Sequence, residues 1–233
     1  EMCIRDRAYT MHSSIDGIYA VYDFGGGTFD CSIVKTKGEE VEVLGSDGVK
    51  HLGGKDIDRC LLKIVEEKYQ KKTNKTLTRQ QFSMNDAEAH KKHLSIRSHD
   101  EEEIIIDGEI IMVLKSEFEA SISTLISLSL VTFDNALEDA GIEIDNIMDV
   151  VLVGGSSRIP VIQDALEEKI GKKPKLFGNP DETVAKGAAI YAALKNKRSL
   201  NINQKATIAG LEVKEITNVY LGKPLLNLDG VLI

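Results

Sequence analysis

Residues 23–30, Asp-Phe-Gly-Gly-Gly-Thr-Phe-Asp, set two carboxylates and a hydroxyl around three adjacent glycines. Glycine lets the backbone reach positive φ and bring its N–H groups against phosphate oxygens, because no Cβ blocks the approach. Thr28 then sits where its hydroxyl can donate to a terminal phosphate. A hard cation such as Mg²⁺ keeps most of its waters and takes oxygen ligands from one or two carboxylates plus phosphates. That role is open to Asp23 or Asp30, directly or through water. The stretch has the chemistry of a clip for a nucleotide phosphate and its metal. A tight hairpin carrying solvated aspartates fits the same residues, since glycine-rich turns are common between strands.

Further polar groups lie downstream. In residues 51–58, His-Leu-Gly-Gly-Lys-Asp-Ile-Asp, the pair Gly53-Gly54 opens a helix. The first N–H groups of a helix are free for an anion or a carboxylate cap, although a plain glycine-marked helix start reads the same way. Glu88, Lys91, Lys92 and Ser95 recur at spacings of three, four and seven, which places them on one helix face. Such a face can hold a ribose and a purine by hydrogen bonds, or simply meet water. Gly154-Gly155-Ser156-Ser157-Arg158 follows an apolar strand and precedes a helix, a crevice of the kind in which α/β folds bind ligands. Arg158 can lie flat on an adenine ring there. His90 and His93 also share a helix, but with no third ligand nearby a zinc site is not expected.

Composition narrows the classes. With 233 residues, 42% of them hydrophobic, the chain can bury the core of one large domain, or of one plus a fragment. A formal net charge of -8 argues against a nucleic-acid or anionic-membrane surface as the main partner. No apolar run approaches the roughly 20 residues that a spanning helix needs. Cys3, Cys31 and Cys60 are odd in number and lack metal-site spacing, which points to a reduced compartment, the cytosol by default.

These side chains need elements to position them. Residues 18–22 have the content of a buried strand, Phe29, Cys31 and Ile33 alternate as in a half-exposed one, and residues 40–44 alternate again, giving an antiparallel meander. Ile57, Leu61, Leu62, Ile64, Val65 and Tyr69 recur at helical spacing, and a second helix spans residues 85–96. The acidic run 100–103 reads as a solvated loop before a hairpin of residues 104–106 and 110–114, turned by Asp107-Gly108. Ser116 with Glu119 matches a capping box and opens a long core helix, apolar over much of its circumference, that Gly141 stops. Residues 148–153 form an apolar strand, and Pro160 suits the first position of the next helix. An alanine-rich helix at 185–194 is capped by residues 179–182. Residues 1–17 lack the apolar stretch of a signal peptide and read as an unrelated or added leader; residues 198–233 are β-prone.

Five separated blocks resemble, in order and approximate separation, the seventy-kilodalton heat-shock chaperones, the DnaK-like family. They are VYDFGGGTFD at 21–30, HLGGKDID at 51–58, EAHKKHLS at 88–95, VLVGGSSRIP at 151–160 and NPDETVAKGAA at 179–189. The match covers about residues 18–194 and looks like the second lobe of that family's actin-like ATPase domain. The resemblance implies an α/β, ribonuclease-H-like lobe over residues 18–197, with a mixed sheet and flanking helices. Residues 198–233 would be the linker and truncated start of a peptide-binding domain, a short β-prone tail.

It further implies ATP or ADP with Mg²⁺ as cofactors. Gly25, Gly26 and Gly27 would cradle the β- and γ-phosphates and Thr28 would touch the γ-phosphate. Asp23 and Asp30 would lie near the attacking water and the hydrated Mg²⁺, which Asp23 would hold through water. Gly54 would sit beside the ribose, and Glu88, Lys91, Lys92 and Ser95 would meet ribose and adenine. Gly154, Gly155, Ser156 and Arg158 would form the opposite wall, with Asp181 at the α-phosphate edge. The implied function is that of a cytoplasmic stress-response chaperone assisting protein folding through an ATPase cycle. Its partners would be nucleotide, unfolded client peptides, a J-domain co-chaperone and a nucleotide-exchange factor, with neither nucleic acid nor membrane among them.

Two departures carry consequences. Lys92 stands where many members have an arginine on the adenine face, so stacking is expected to be weaker, an ammonium having no planar surface. Nothing before Ile18 supplies the family's first phosphate loop, catalytic lysine or glutamate-proline segment. The chain is therefore expected to be a fragment that alone hydrolyses ATP very slowly or not at all, since phosphoryl transfer needs charge and positioning from both sides of the phosphate. The alternatives are a nucleotide-binding module without catalysis and a filament-forming actin-like protein. HLGGKDID and GGSSRIP speak against the filament.

Overall fold

Alternation makes the first strand two-faced. In β1 (Gly17–Phe24), Ala20, Tyr22 and Phe24 join one buried cluster while Tyr19 and Val21 join a second, as the two-residue period of a strand requires. The computed structural model describes residues 16–37 and 40–176. β2 (Phe29–Lys37) pairs antiparallel with β1, Asp23 opposite Asp30 and Phe24 opposite Phe29, and β3 (Glu40–Val49) completes the expected meander. Alternation puts Ile33 and Val34 into different clusters, and the register shifts between them, Ile33 standing opposite Gly45 and Val34 opposite Val43.

Helices α1 (Gly54–Thr73) and α2 (Met84–Leu94) follow, then a separate hairpin of β4 (Glu101–Ile106) and β5 (Glu109–Leu114). The long α3 (Lys115–Ala140) leads to β6 (Asp149–Val153), α4 (Pro160–Ile170) and β7 (Lys175–Leu176). The main sheet has the order β3-β2-β1-β6-β7, with β1–β6 and β6–β7 parallel. It is the mixed sheet with flanking helices that the sequence predicts. α3 covers one face: Tyr22 donates its hydroxyl to Ser129 Oγ at 2.5 Å, and the Tyr22 ring meets Phe29 edge-on at 4.5 Å and Phe133 at 6.4 Å.

The structure corrects several local expectations. Residues 101–103 are not loop but the start of β4, Glu102 pairing with Val113 and Glu103 with Met112; the exposed face of a two-stranded hairpin tolerates charge at alternate positions. Helix α3 is not opened by Ser116 and Glu119. Strand runs straight into helix at Leu114, whose N–H donates to the Glu117 carboxylate at 3.0 Å, so Glu117 takes the capping role two residues earlier. Nor is α3 buried all round, since Leu128 is 41% and Val131 52% exposed. By length and composition this helix would suffice to cross a bilayer, although serines and threonines interrupt its apolar runs; its buried stripe packs on the sheet. α2 begins one residue before the expected 85 and ends two before the expected 96, and Ser83 and Asp86 cap each other at its start, the Ser83 N–H donating to Asp86 Oδ2 at 2.7 Å. The alanine-rich helix at 185–194, Asp181, the leader and the tail lie outside the described residues.

Candidate functional site

The glycine turn is closed by Gly25 N–H donating to Thr28 O at 3.0 Å. Its carbonyls point into the start of α1: Gly54 N–H donates to Gly25 O and Lys55 N–H to Gly26 O, both at 2.9 Å. The N–H groups expected to be free for an anion are thus taken by peptide carbonyls, whose dipoles suit the positive end of a helix as an anion does. The Gly53 N–H meets a carboxylate cap, Asp56 Oδ2, at 2.9 Å. Gly53 has to be glycine for a steric reason, since a Cβ there would lie 2.4 Å from Gly27 N. Ser156 Oγ also donates to Gly25 O, at 2.9 Å. A single carbonyl therefore gathers the turn, α1 and the β6–α4 connection, while Gly26, Gly27 and Thr28 remain exposed.

Asp23 and Asp30 are cross-strand partners beside this turn, and directly opposed residues project to one side of a sheet. Asp23 is buried and Asp30 half-buried. A Cβ on Gly154 would lie 2.8 Å from Asp23 Oδ1 and 2.4 Å from Phe24 O, so β6 ends hard against the carboxylate. Two carboxylates next to a phosphate-sized turn are hard oxygen donors; the donor set fits Mg²⁺.

Beyond the turn opens a cleft of about 540 Å³. α2 contributes Glu88, Lys91, Lys92 and Ser95, the start of α1 contributes Gly54, and the β6–α4 connection contributes Gly155, Ser156 and Arg158, with Gly26 at the turn. The structure brings Gly26, the 88–95 helix face and the 155–158 segment onto this one cleft. Gly25, Gly27, Thr28, Asp23, Asp30 and Gly154 are not in its lining; they sit at or beneath the turn. Glu88 pairs with Lys92 at 2.8 Å, and that contact holds its carboxyl below the ordinary range. Ser95 Oγ donates back to Lys91 O at 2.8 Å.

Sequence reasoning missed Lys55, Asp58 and Ile159 in the lining. Asp58 forms an ion pair with Lys91 at 2.7 Å, both side chains at or below 10% exposure, and burial pushes its carboxyl upward against the opposing pull of Lys91. The signal was available: Asp58 lies one helical turn after Gly54, on the same face. Its partner on α2 was not legible.

The family profile described as "Hsp70 protein" matches residues 7–202. Among similar proteins are the "Chaperone protein HscA homolog" of Vibrio vulnificus (strain YJ016), 36% identical over 185 residues, and "Chaperone protein HscA" of Photorhabdus laumondii subsp. laumondii, 37% identical over 187. That of Escherichia fergusonii is 36% identical over 185. Each alignment covers 79% of this chain and 30% of the relative, so the chain spans about a third of the length of the curated relatives it matches. With that profile over most of its length, a mixed α/β sheet flanked by helices and relatives above 35% identity, the chain belongs to the Hsp70 protein family.

Proposed function

We propose that residues 18–197 are the second lobe of a DnaK-like nucleotide-binding domain, and that the cleft holds the ribose and base of ATP or ADP. The observation that carries this reading is the convergence of the α2 polar face, the start of α1 and the β6–α4 connection on one cleft of about 540 Å³, within the usual size of small-molecule sites. Arg158 is exposed on one wall, free to lie along an adenine, opposite Glu88, Lys91, Lys92 and Ser95. The exposed edge of Gly26, Gly27 and Thr28, with half-buried Gly25 beside it, lies where phosphates would continue from a ribose beside Gly54. Asp23 would hold Mg²⁺ through its waters, and Asp23 and Asp30 would lie near the attacking water. Mg²⁺, when bound, supplies charge neutralisation to the phosphates. Asp181 remains a candidate at the α-phosphate edge, outside the described residues.

In the full-length protein this lobe would serve an ATPase cycle that assists protein folding in the cytoplasm. Unfolded client peptides, a J-domain co-chaperone and a nucleotide-exchange factor would be its partners, and residues 198–233 its linker and the start of a peptide-binding domain.

Calorimetric titration of the chain with Mg-ADP tests the pocket. Arg158→Ala removes a stacking cation worth about 0.5–2 kcal/mol, a weakening of roughly 2- to 30-fold. Asp23→Asn, nearly isosteric, should weaken Mg-ADP more than ADP without metal. If both variants bind Mg-ADP as tightly as the unsubstituted chain, the pocket is misassigned.

A further inference from the structure

His90 and His93 lack a third ligand in sequence, yet the fold supplies one. Glu102, on β4, accepts from His90 Nδ1 at 2.6 Å and from His93 Nδ1 at 3.1 Å, through the same carboxylate oxygen. One potential ligand atom from each of the three residues lies within 4.8 Å of the others. We propose that His90, His93 and Glu102 bind a divalent transition metal of the zinc class, clamping α2 to the β4–β5 hairpin.

The chemistry of the set fits that class. Two imidazoles and one carboxylate are borderline ligands preferred by Zn²⁺ and its neighbours over Mg²⁺, which takes oxygen donors. Metal–ligand bonds of about 2.0–2.2 Å place donors about 3.3 Å apart in a tetrahedron, so the 2.6 Å His90–Glu102 separation must open by about 0.7 Å and the 3.1 Å His93–Glu102 separation by about 0.2 Å. The two Nδ1 atoms now directed at one oxygen would give up their protons to make room for the ion. Water would complete the coordination, because His93 is 61% exposed.

The cluster is also held in place. Glu102 is only 11% exposed and fixed by its strand pairing with Val113. The Phe82 ring stacks on His90 at 5.8 Å and 26°, limiting rotation of the imidazole. The site is separate from the nucleotide cleft. At 100° per residue His90 and His93 lie on the side of α2 opposite Glu88, Lys92 and Ser95. The proposal therefore stands independently of the nucleotide reading.

The test is titration of the full chain, without nucleotide, with Zn²⁺ by calorimetry and with Co²⁺ by visible absorption. One metal per chain should bind with micromolar affinity, Co²⁺ should develop ligand-field bands of a nitrogen- and oxygen-ligated ion, and millimolar Mg²⁺ should not compete. His93→Gln, at an exposed position that folding does not depend on, should weaken binding about tenfold or more, as should Glu102→Gln. Cys60→Ser should leave the affinity unchanged. Absence of Co²⁺ and Zn²⁺ binding at millimolar metal would overturn the proposal. So would stoichiometric binding that survives His93→Gln and Glu102→Gln, or that Cys60→Ser abolishes.

Discussion

Gly154 and Gly155 stand side by side after β6, and alanine at each should have opposite consequences. Gly154 has φ +82, and a Cβ on it would lie 2.4 Å from Phe24 O and 2.6 Å from Phe24 C, both backbone atoms of β1. A left-handed backbone costs an alanine about 1–2 kcal/mol, and forcing a methyl into a packed contact costs about 1–3 kcal/mol. The lower entropy of the unfolded variant returns about 0.4–1 kcal/mol. The sum is a loss of about 2–4 kcal/mol for Gly154→Ala, or on the order of 10 °C in the melting midpoint of a domain this size. Gly155 has φ -65 and nothing within 4 Å of its Cβ position, so Gly155→Ala should be neutral or stabilising by up to about 1 kcal/mol. Urea unfolding of both variants, followed by circular dichroism, compares them directly. Equal midpoints for the two, or a Gly154→Ala midpoint that matches the unsubstituted chain, would refute the close approach of β6 to Phe24 and with it the placement of Asp23 beside Gly154.

Asp58→Ala strands the buried Lys91 ammonium and should cost about 3–5 kcal/mol in urea unfolding, whereas Asp58→Asn with Lys91→Met should recover most of that loss. Because burial raises the folded Asp58 carboxyl, its contribution to stability is fully present below the unfolded value of about 3.9 and is lost as pH rises through the raised value. A stability profile between pH 3 and 7 should be flatter in the double variant. The Tyr22 phenol is pushed up by burial, so its contribution is complete below about pH 10, where unfolded tyrosine ionises, and falls above it at about 1.4 kcal/mol per pH unit. Tyr22→Phe should lose that alkaline slope while costing about 0.5–1.5 kcal/mol at neutral pH for the bond to Ser129. Ser156→Ala removes one of two donors to Gly25 O; amide exchange at Gly26 and Gly27 should rise with little change in global stability.

Sheet and helices were legible because their signals are local. The buried-strand content of 18–22, the alternation of Phe29, Cys31 and Ile33, Asp107-Gly108 in the hairpin and Pro160 at a helix start each report on a few consecutive peptides. Local rules failed where a neighbour far along the chain decided the outcome. The N–H groups of Gly54 and Lys55 found the carbonyls of Gly25 and Gly26 and not an anion. Residues 101–103 became strand because β5 was there to pair with them, and Glu117 capped α3 because β5 ran into the helix without a linker.

What the sequence by itself determined is the set of chemical groups and their order: carboxylates around three glycines, a polar helix face, a glycine pair with an arginine, together with the Hsp70 family to which they belong. Which groups meet was decided in three dimensions. Asp58 found Lys91, Ser156 found Gly25, and Glu102 found two histidines, because burying the faces of α1 and α2 against the sheet and hairpin fixed the separations between side chains. Adjacent glycines at 154 and 155 read alike in the chain, and only the backbone of β1 pressing on one of them makes the two inequivalent.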